Sequence, residues 1–173
     1  MKDEDLNLER IEYLKKELEE IDKEKSMHFR KVREEGMSDN EEWEYYKKNV
    51  HPLHDRTRYI EDLIRRIENY NVKEGDGVTV CLYSDRHACT VIKRTAKTIT
   101  VQRDKAILDK NFKPEFDGFH CLNDDEQSYE YERDEQGSVE TYRWSDKYGS
   151  FRGGDDQSIR IINGRHEHYD YNF

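Results

Sequence analysis

The chain has 173 residues, of which 33% are hydrophobic and 40% are charged, and its formal net charge is −10. This composition suffices for one ordinary domain, or for a small core beside an extended element that needs little burial. The negative charge disfavours sequence-independent binding to nucleic acid over the whole molecule, and leaves room only for a local basic patch. We find no long apolar run and no basic start before an apolar segment, so we expect a cytoplasmic protein without membrane contact.

The three cysteines are Cys81, Cys89 and Cys121. Their odd number and irregular spacing argue against a disulfide scaffold and against a zinc ribbon, so we expect free buried thiols. If residues 78–94 form a hairpin centred on Asp85, Cys81 and Cys89 could face each other across it. An oxidised pair therefore remains open at these two positions.

Residues 1–74 are predicted to form an antiparallel helical hairpin. Apolar residues recur every three or four positions, the spacing of one helix face, along two segments. They are Ile11, Leu14, Leu18, Ile21, Phe29 and Val32 in the first segment, and Trp43, Tyr46, Val50, Leu53, Thr57, Ile60, Ile64 and Ile67 in the second. Two helices of about 33 residues, each about 50 Å long, can pair along these seams as a coiled coil. Pro52 predicts a kink near His51, or a division of the second segment into two helices.

The tip of this hairpin is predicted from local signals. Gly36 is a natural helix stop, and Ser38 with Glu41 forms a capping box, which leaves a turn of about two to four residues. The tip would present Asp39, Glu41, Glu42 and Trp43, which we expect to bind a partner. The alternative is that the acids compensate the helix dipole and that Trp43 only caps the seam.

Residues 75–173 are predicted to form a small antiparallel β domain, so the fold class is α+β. The pattern changes from helical spacing to alternation after residue 75. Strands are predicted at residues 78–83, 87–94, 98–103, 128–133, 139–144, 158–162 and 166–171, with a long loop over residues 109–126. Short strands of this kind favour a small barrel or a strongly bent sheet, because either arrangement hides the sheet edges.

Charge is segregated within this β domain. Residues 86–113 carry eight basic and two acidic residues, whereas residues 115–140 carry ten acidic residues and one arginine. The two segments can neutralise each other on neighbouring strands, or the basic one can bind phosphate or a partner. The candidate binding residues are the hairpin turn Ser84, Asp85, Arg86 and His87, together with Lys93, Arg94 and Arg103. The turn has a plainer interpretation, since Ser and Asp are ordinary turn residues.

The C-terminal segment offers the best candidate metal ligands. On a strand, His166, His168 and Asp170 would share one face, while Arg165 and Tyr169 on the other face would pack or stack on a ligand. Three ligands so close on one strand cannot easily reach one ion, so a half-exposed terminal strand is the simpler interpretation. We expect neither a metal nor another cofactor.

Nucleophilic catalysis finds no support in the sequence, which lacks the glycine-serine, phosphate-loop, zinc-protease and dinucleotide motifs. Cys89 could be paired with His87 or His120 as thiol and base. Cysteines in β-branched strands are more often inert core residues, and we therefore expect a protein that is not an enzyme.

Residues 1–75 resemble the N-terminal coiled coil of the Gre transcript-cleavage factors. The family's tip reads roughly acid, apolar, polar and then Glu-Asn-Ala-Glu-Tyr, and residues 39–43, Asp-Asn-Glu-Glu-Trp, stand in that position here. The resemblance implies a hairpin that enters the secondary channel of bacterial RNA polymerase, with Asp39 helping to hold a catalytic magnesium ion. The chain departs from the pattern at Met37, where the first tip acid is expected, by one missing residue, and at Pro52.

Residues 76–173 resemble a domain found among phage and prophage proteins of unassigned function. The matching segments are residues 83–88, 90–92, 102–104, 129–133, 164–167 and 171–173. This resemblance implies a phage origin and names no activity.

Together these features predict a phage-type, non-enzymatic binding protein that inhibits or modulates a host machine in the host cytoplasm. Its partner would be a host protein, a nucleoprotein complex or a phosphate-containing ligand, and the hairpin could also pair copies of the chain. The alternative is a Gre-like transcription factor that binds RNA polymerase through the hairpin tip.

Overall fold

The structure is a computed structural model that describes residues 3–155 and 157–172, with side chains described from residue 7. It is an α+β fold of helices followed by a closed antiparallel barrel. Backbone contacts divide the chain into two compact units, residues 1–67 and 68–173. The boundary predicted from the sequence, at residue 75, falls between the last helix, which ends at Tyr70, and the first strand.

Three helices, α1 (Asp3–Glu35), α2 (Asp39–Asn49) and α3 (His51–Tyr70), form the first part of the chain. A three-residue turn joins α1 to α2, and it begins at Gly36, whose φ of 60° is cheap only for a residue without Cβ. The Glu41 carboxylate accepts hydrogen bonds from the backbone N–H of Ser38 at 3.0 Å and from its hydroxyl at 2.6 Å. The predicted helix stop, capping box and turn length are confirmed.

The second apolar segment is divided into two helices at Val50. This division is one of the two outcomes that Pro52 predicts. Pro52 is the second residue of α3, and a proline is tolerated in the first turn of a helix because its missing N–H has no partner to lose there. Backbone bonds still cross the junction, from Val50 N–H to the Tyr46 carbonyl at 2.9 Å and from His54 N–H to the Val50 carbonyl at 3.1 Å. The two helices therefore follow one another as a bent helix.

One buried seam connects α1 with α3. Its buried members are Ile11, Leu14, Ile21, Ile60 and Ile64, with the partly buried Leu18, Leu53, Leu63 and Ile67 packed against them. All except Leu63 belong to the two apolar series predicted from the sequence. By contrast, the predicted seam residue Phe29 is 47% exposed, so the apolar seam weakens toward the α1–α2 turn.

Ten strands follow the helices. They are β1 (Gly77–Cys81), β2 (Arg86–Arg94), β3 (Thr98–Arg103), β4 (Lys105–Leu108), β5 (Phe116–Asp117), β6 (His120–Cys121), β7 (Tyr129–Glu132), β8 (Val139–Ser145), β9 (Ser150–Gly153) and β10 (Ile159–Asn163). Six of them close into a barrel in the order β1-β10-β9-β8-β3-β2, while β4 pairs with β7 and β5 with β6. The barrel, one of the two predicted architectures, is thus confirmed, as are its first three strands in meander order.

The barrel core follows from alternation along the strands. Every second residue faces inward, and the buried cluster contains Val78, Val80, Cys89, Val91, Ile99, Val101, Tyr142, Phe151 and Ile161. Closure leaves none of the six strands with an unpaired edge.

Three predictions for the β domain are wrong or incomplete. Residues 166–171 form no strand; His168 makes one isolated bridge to Arg86, and side-chain bonds hold the rest of this tail. Strands β4 and β9 were not predicted, and residues 109–126 contain the short β5–β6 hairpin and a 3-10 helix, Asp124–Glu126. The structure therefore corrects the reading of this segment as a long plain loop.

The cysteine geometry also differs from the expectation. Cys81 lies opposite Arg86 and Cys89 lies opposite Val78, because the loop closes with a bond from Leu82 N–H to the Asp85 carbonyl and is not centred on Asp85. All three cysteines are free and buried.

Among the described residues, no helix is long and apolar enough to cross a membrane.

Candidate functional site

At one edge of the barrel, the inward-facing series of β2, β3 and β8 end in polar residues, and that of β1 ends in Leu82. Moving along the inward-facing positions toward this edge, β2 passes from Val91 and Cys89 to His87, and β3 from Ile99 and Val101 to Arg103. On β8 the same series runs from Tyr142 to Glu140, and on β1 it runs from Val80 to Leu82, just past the strand end. We call this edge the barrel mouth.

The barrel mouth holds a cavity of about 230 Å3. Its floor and walls are Val80, Cys89, Val101 and Tyr142, and its rim is Leu82, His87, Arg103, Ser138 and Glu140. At the opposite end of the barrel the interior is filled by aromatic side chains. Trp144 packs on Phe151 with 5.1 Å between ring centres, and the Arg94 guanidinium lies 4.6 Å from the centre of the Phe151 ring. The cavity therefore exists where no large aromatic side chain plugs the barrel.

Arg103 is fixed at the rim by the C-terminal tail. It forms a two-pronged ion pair with Glu167, one prong at 2.5 Å, and also donates to the Ala88 carbonyl at 3.1 Å. The hydrogen bonds that Arg103 donates to the Glu167 carboxylate raise the pKa of Arg103, so Arg103 stays charged and its charge is already compensated. Glu167 in turn accepts the Ala88 N–H at 2.8 Å.

His87 and Cys89 are neutral in this setting. Burial, with the nearby Arg103 charge, lowers the pKa of His87, and burial raises the pKa of Cys89 to about 12. A thiol with so high a pKa is not a nucleophile near neutral pH, since the thiolate is the reactive form. The alternative of a thiol–base pair formed by Cys89 and His87 therefore has no chemical basis here, and His120 is exposed on the separate β5–β6 hairpin.

A second buried charge network lies beside the first. Asp104, whose side chain is 1% exposed, accepts hydrogen bonds from Arg165 Nε at 2.7 Å and from the Thr90 hydroxyl at 2.6 Å. Arg165 also donates to the Thr90 hydroxyl at 2.8 Å. The predicted ligand-binding residue Arg165 is therefore engaged by a carboxylate of the chain itself, as Arg103 is, although its side chain is 34% exposed.

The remaining predicted residues of the β domain are dispersed. Ser84 and Asp85 lie in the β1–β2 loop, where the Asp85 carboxylate accepts the Asp170 N–H at 3.0 Å. Lys93 is exposed near the far end of β2, and Arg94 donates to the Tyr70 carbonyl at 2.9 Å while burial lowers its pKa.

Arg86 is exposed at the start of β2, one residue from the barrel mouth. Tyr169 is 54% exposed, and its ring packs on Tyr171 at 5.0 Å. The basic segment of the sequence thus does not form one continuous surface, because its members are divided between internal pairs and separate exposed positions.

The predicted metal ligands are not brought together. His168 lies 3.4 Å from the Asp124 carboxylate, and the Asp170 backbone is bonded to Asp85, while His166 is exposed. In residues 3–155 and 157–172, no group of three His, Cys, Asp or Glu side chains is placed to hold a metal ion. The shared strand face on which this candidate site rested is absent from the tail.

The predicted tip residues lie at the start of α2, and all four are exposed. Trp43 is 57% exposed and stacks on Tyr46 with 5.8 Å between ring centres, and Lys47 Nζ lies 5.5 Å from the indole centre. Glu41 is engaged, because hydrogen bonds from the Ser38 hydroxyl and N–H lower its pKa. Asp39 and Glu42 stand free of such bonds among the described residues.

Sequence reasoning identified His87 and Arg103 but missed Ser138, Glu140 and Glu167. The signal for Glu140 was present: it stands two residues before the buried Tyr142 on a strand that alternates. What the sequence does not give is that β8 pairs with β3, from which four strands, β4 to β7, separate it in the chain. Comparison of the chain with protein-family models, with curated proteins and with solved structures found no match.

Proposed function

We propose that this chain is a phage-type, non-enzymatic binding protein that inhibits or modulates a host machine in the host cytoplasm. The observation that carries the proposal is the exposed Trp43–Tyr46 stack beside the carboxylates of Asp39 and Glu42. Solvent-exposed tryptophan costs free energy in the free protein and is the residue type most enriched among energetically dominant interface contacts.

In this proposal the helices form an antiparallel coiled-coil hairpin with that stack near its tip. The contacts of α1 support it, because they run in reverse order along the second segment. Glu17 pairs with Arg56 at 2.6 Å, and His28, further along α1, bonds the Tyr45 hydroxyl at 2.6 Å. The buried seam of Ile11, Leu14, Ile60 and Ile64 lies at the end away from the α1–α2 turn.

The charge at the tip favours a basic partner surface. Asp39, Glu41 and Glu42 occupy the first turn of α2, where the helix dipole already stabilises them, so they need no counter-ion within the chain. A groove lined by Lys or Arg on a host protein or nucleoprotein complex would complement them, with Trp43 as the apolar anchor.

The test is affinity capture from a bacterial lysate with the immobilised chain, quantified by mass spectrometry. Tyr13→Ala is the matched control for Trp43→Ala, because Tyr13 is an equally exposed aromatic residue on α1, at 68%. We expect one host complex to be retained by the wild-type chain and by Tyr13→Ala, and its recovery to fall about tenfold or more with Trp43→Ala. Equal recovery of the host complex by all three proteins would show that Trp43 at the tip does not bind it, and would contradict the proposal.

A second candidate function is a Gre-like factor that binds the RNA polymerase secondary channel through the tip. The observation in its favour is the narrow three-residue turn followed by exposed Asp39 at the start of α2. Under this function the captured complex is RNA polymerase, and capture is lost in Asp39→Ala/Glu41→Ala and kept in Arg86→Ala. Capture of a different complex, or the reverse pattern of variants, would exclude it.

Light scattering of the same variants tests for pairing of copies through the helices. A wild-type dimer that becomes a monomer with Trp43→Ala would assign the tip to self-association and would contradict the host-binding function.

A further inference from the structure

We propose that the barrel mouth binds a primary ammonium group carried on a short apolar chain. This site belongs to the barrel and goes beyond the function proposed for the helices. It stands or falls independently of the tip, since no residue is shared between them.

The size and walls of the cavity limit the ligand. About 230 Å3 is less than the roughly 300–1,000 Å3 typical of pockets for drug-sized molecules, so the ligand has few heavy atoms. Val80, Cys89 and Val101 present only apolar surface, because the Cys89 thiol stays protonated. These walls suit a methylene chain and offer nothing to a second charged group.

The rim of the cavity is rich in hydrogen-bond acceptors. The Tyr142 hydroxyl donates to Oε2 of Glu140, which fixes the carboxylate at the rim. Within the part of the chain that the structure describes, Oε1 of Glu140, the Ser138 hydroxyl and the His87 ring have no hydrogen-bond partner. An ammonium group has three N–H donors and no acceptor, and therefore matches three such acceptors.

The charges near the rim favour a cation. His87 experiences one positive charge, from Arg103, and three negative charges, from Glu167, Asp85 and Glu140. Since Glu167 neutralises Arg103, the Glu140 carboxylate is left as the uncompensated charge at the cavity. An anion would meet this carboxylate without a free guanidinium to offset it, so a phosphate or carboxylate ligand is disfavoured.

The test compares three probes of equal length and different charge: n-pentylammonium, 1-pentanol and pentanoate. Each is titrated into the isotopically labelled full chain while amide shifts are followed by NMR. We expect n-pentylammonium to shift the amides of Ala88, Cys89 and Glu140 and to bind about tenfold or more tightly than 1-pentanol, with no response to pentanoate. Binding of pentanoate, or equal binding of all three probes, would overturn the proposal.

Two variants locate the interaction. Glu140→Gln keeps the shape of the side chain and removes its charge, and we expect about tenfold weaker n-pentylammonium binding with unchanged 1-pentanol binding. Glu135→Gln, on the exposed β7–β8 loop, is the matched control and should bind as the wild type does. Ser138→Ala removes one acceptor and should weaken binding several-fold, so the test survives if Glu140→Gln does not fold. Unchanged affinity in both rim variants would contradict the site.

The ammonium group could come from a free alkylamine or from a lysine side chain of a protein. Nα-acetyl-lysine N-methylamide distinguishes the two sources. Tighter binding than n-pentylammonium assigns the site to protein lysine, and weaker binding assigns it to a free amine. Either result requires the same ammonium chemistry at Glu140.

Discussion

The two units of this chain use their charges in opposite ways. In the helical unit, pairs such as Lys47–Glu44 at 2.5 Å and Arg56–Glu17 at 2.6 Å join side chains that are 22–72% exposed. In the barrel unit, Asp104 and Glu167 are 1% and 9% exposed and hold Arg165 and Arg103. Surface pairs are screened by water and salt, whereas a buried charge must keep its partner.

A high content of charged residues therefore says little about where in the fold charge contributes to stability. The helices gain their stability from a narrow apolar seam, and their surface pairs add little to it. In the barrel, a few buried charges fix the position of the C-terminal tail against β2 and β3. The number of charged residues is similar in the two units, but we expect their ion pairs to contribute more to the stability of the barrel than to that of the helices.

The largest expected effect comes from Asp104→Ala. Removing this carboxylate leaves the Thr90 hydroxyl and Arg165 without their shared acceptor, and we expect the free energy of barrel unfolding to fall by about 3 kcal/mol. Urea denaturation followed by Trp144 fluorescence, in a Trp43→Phe background, measures it. Asp125→Ala, an exposed residue of the 3-10 helix, should change the same quantity by less than about 0.5 kcal/mol. Equal effects of the two variants would show that burial of Asp104 does not matter.

Glu167→Gln tests the second buried ion pair of the barrel unit, the pair with Arg103, and has the next largest expected effect. The amide keeps the size of the side chain but loses the charge that pairs with Arg103, so we expect a loss of about 1.5–3 kcal/mol. Glu132→Gln removes a carboxylate of an exposed pair with Lys105 in the same unit and serves as the control. The same denaturation measurement applies, and a loss as large in the control would break the distinction between buried and exposed pairs.

His87 makes the stability of the barrel unit depend on pH. Because burial lowers its pKa in the folded state, the unfolded chain binds more protons just below the ordinary histidine pKa of about 6.5, and stability must fall as the pH falls through that value. We expect barrel stability to decline less between pH 7 and pH 5 in His87→Gln than in the wild type. His51→Gln removes a histidine outside the barrel unit and should leave the pH profile of barrel stability as it is in the wild type. A steeper decline in His87→Gln would show that the carboxylates nearby outweigh burial.

The smallest expected effect is that of Arg56→Ala in the helical unit. Its pair with Glu17 bridges two helices, but Arg56 is half exposed, so we expect a change of less than about 1 kcal/mol. Circular dichroism at 222 nm during thermal unfolding measures it, with added salt as a second arm. A loss as large as that of Asp104→Ala would erase the difference between the units.

Local features of the fold were predictable because each rests on a few neighbouring residues. Gly36, Ser38 and Glu41 specify the turn through a positive φ and a capping box, and alternation specifies β1, β2 and β3. Strand β9 was missed because its four residues, Ser150–Gly153, are too few to show alternation, and its last residue is a glycine that is followed by a second one, Gly154. The prediction of a C-terminal strand was wrong because residues 166–171 make only one backbone bridge, from His168 to Arg86, and are otherwise held by side-chain hydrogen bonds.

The candidate site was only half predictable for a topological reason. His87 and Arg103 stand in a segment whose charge drew attention, and they lie on strands that neighbour each other in the chain. Glu140 joins them only because β8 pairs with β3 after the β4–β7 ribbon has left the barrel. Pairing between strands so far apart in sequence has no local signal, and the sequence therefore shows the members of the cavity without showing that they meet.

The pairing of β1 with β10 has a consequence for synthesis on the ribosome. The two strands are separated by about 80 residues, which take roughly 4–16 s to translate at 5–20 residues per second. Throughout that interval one edge of β1 in the nascent chain has no partner strand. Asp104, once translated, also lacks its ion-pair partner Arg165. The contacts of the helical cluster lie within residues 11–67 and can form first, whereas the barrel cannot close until β10 has been translated.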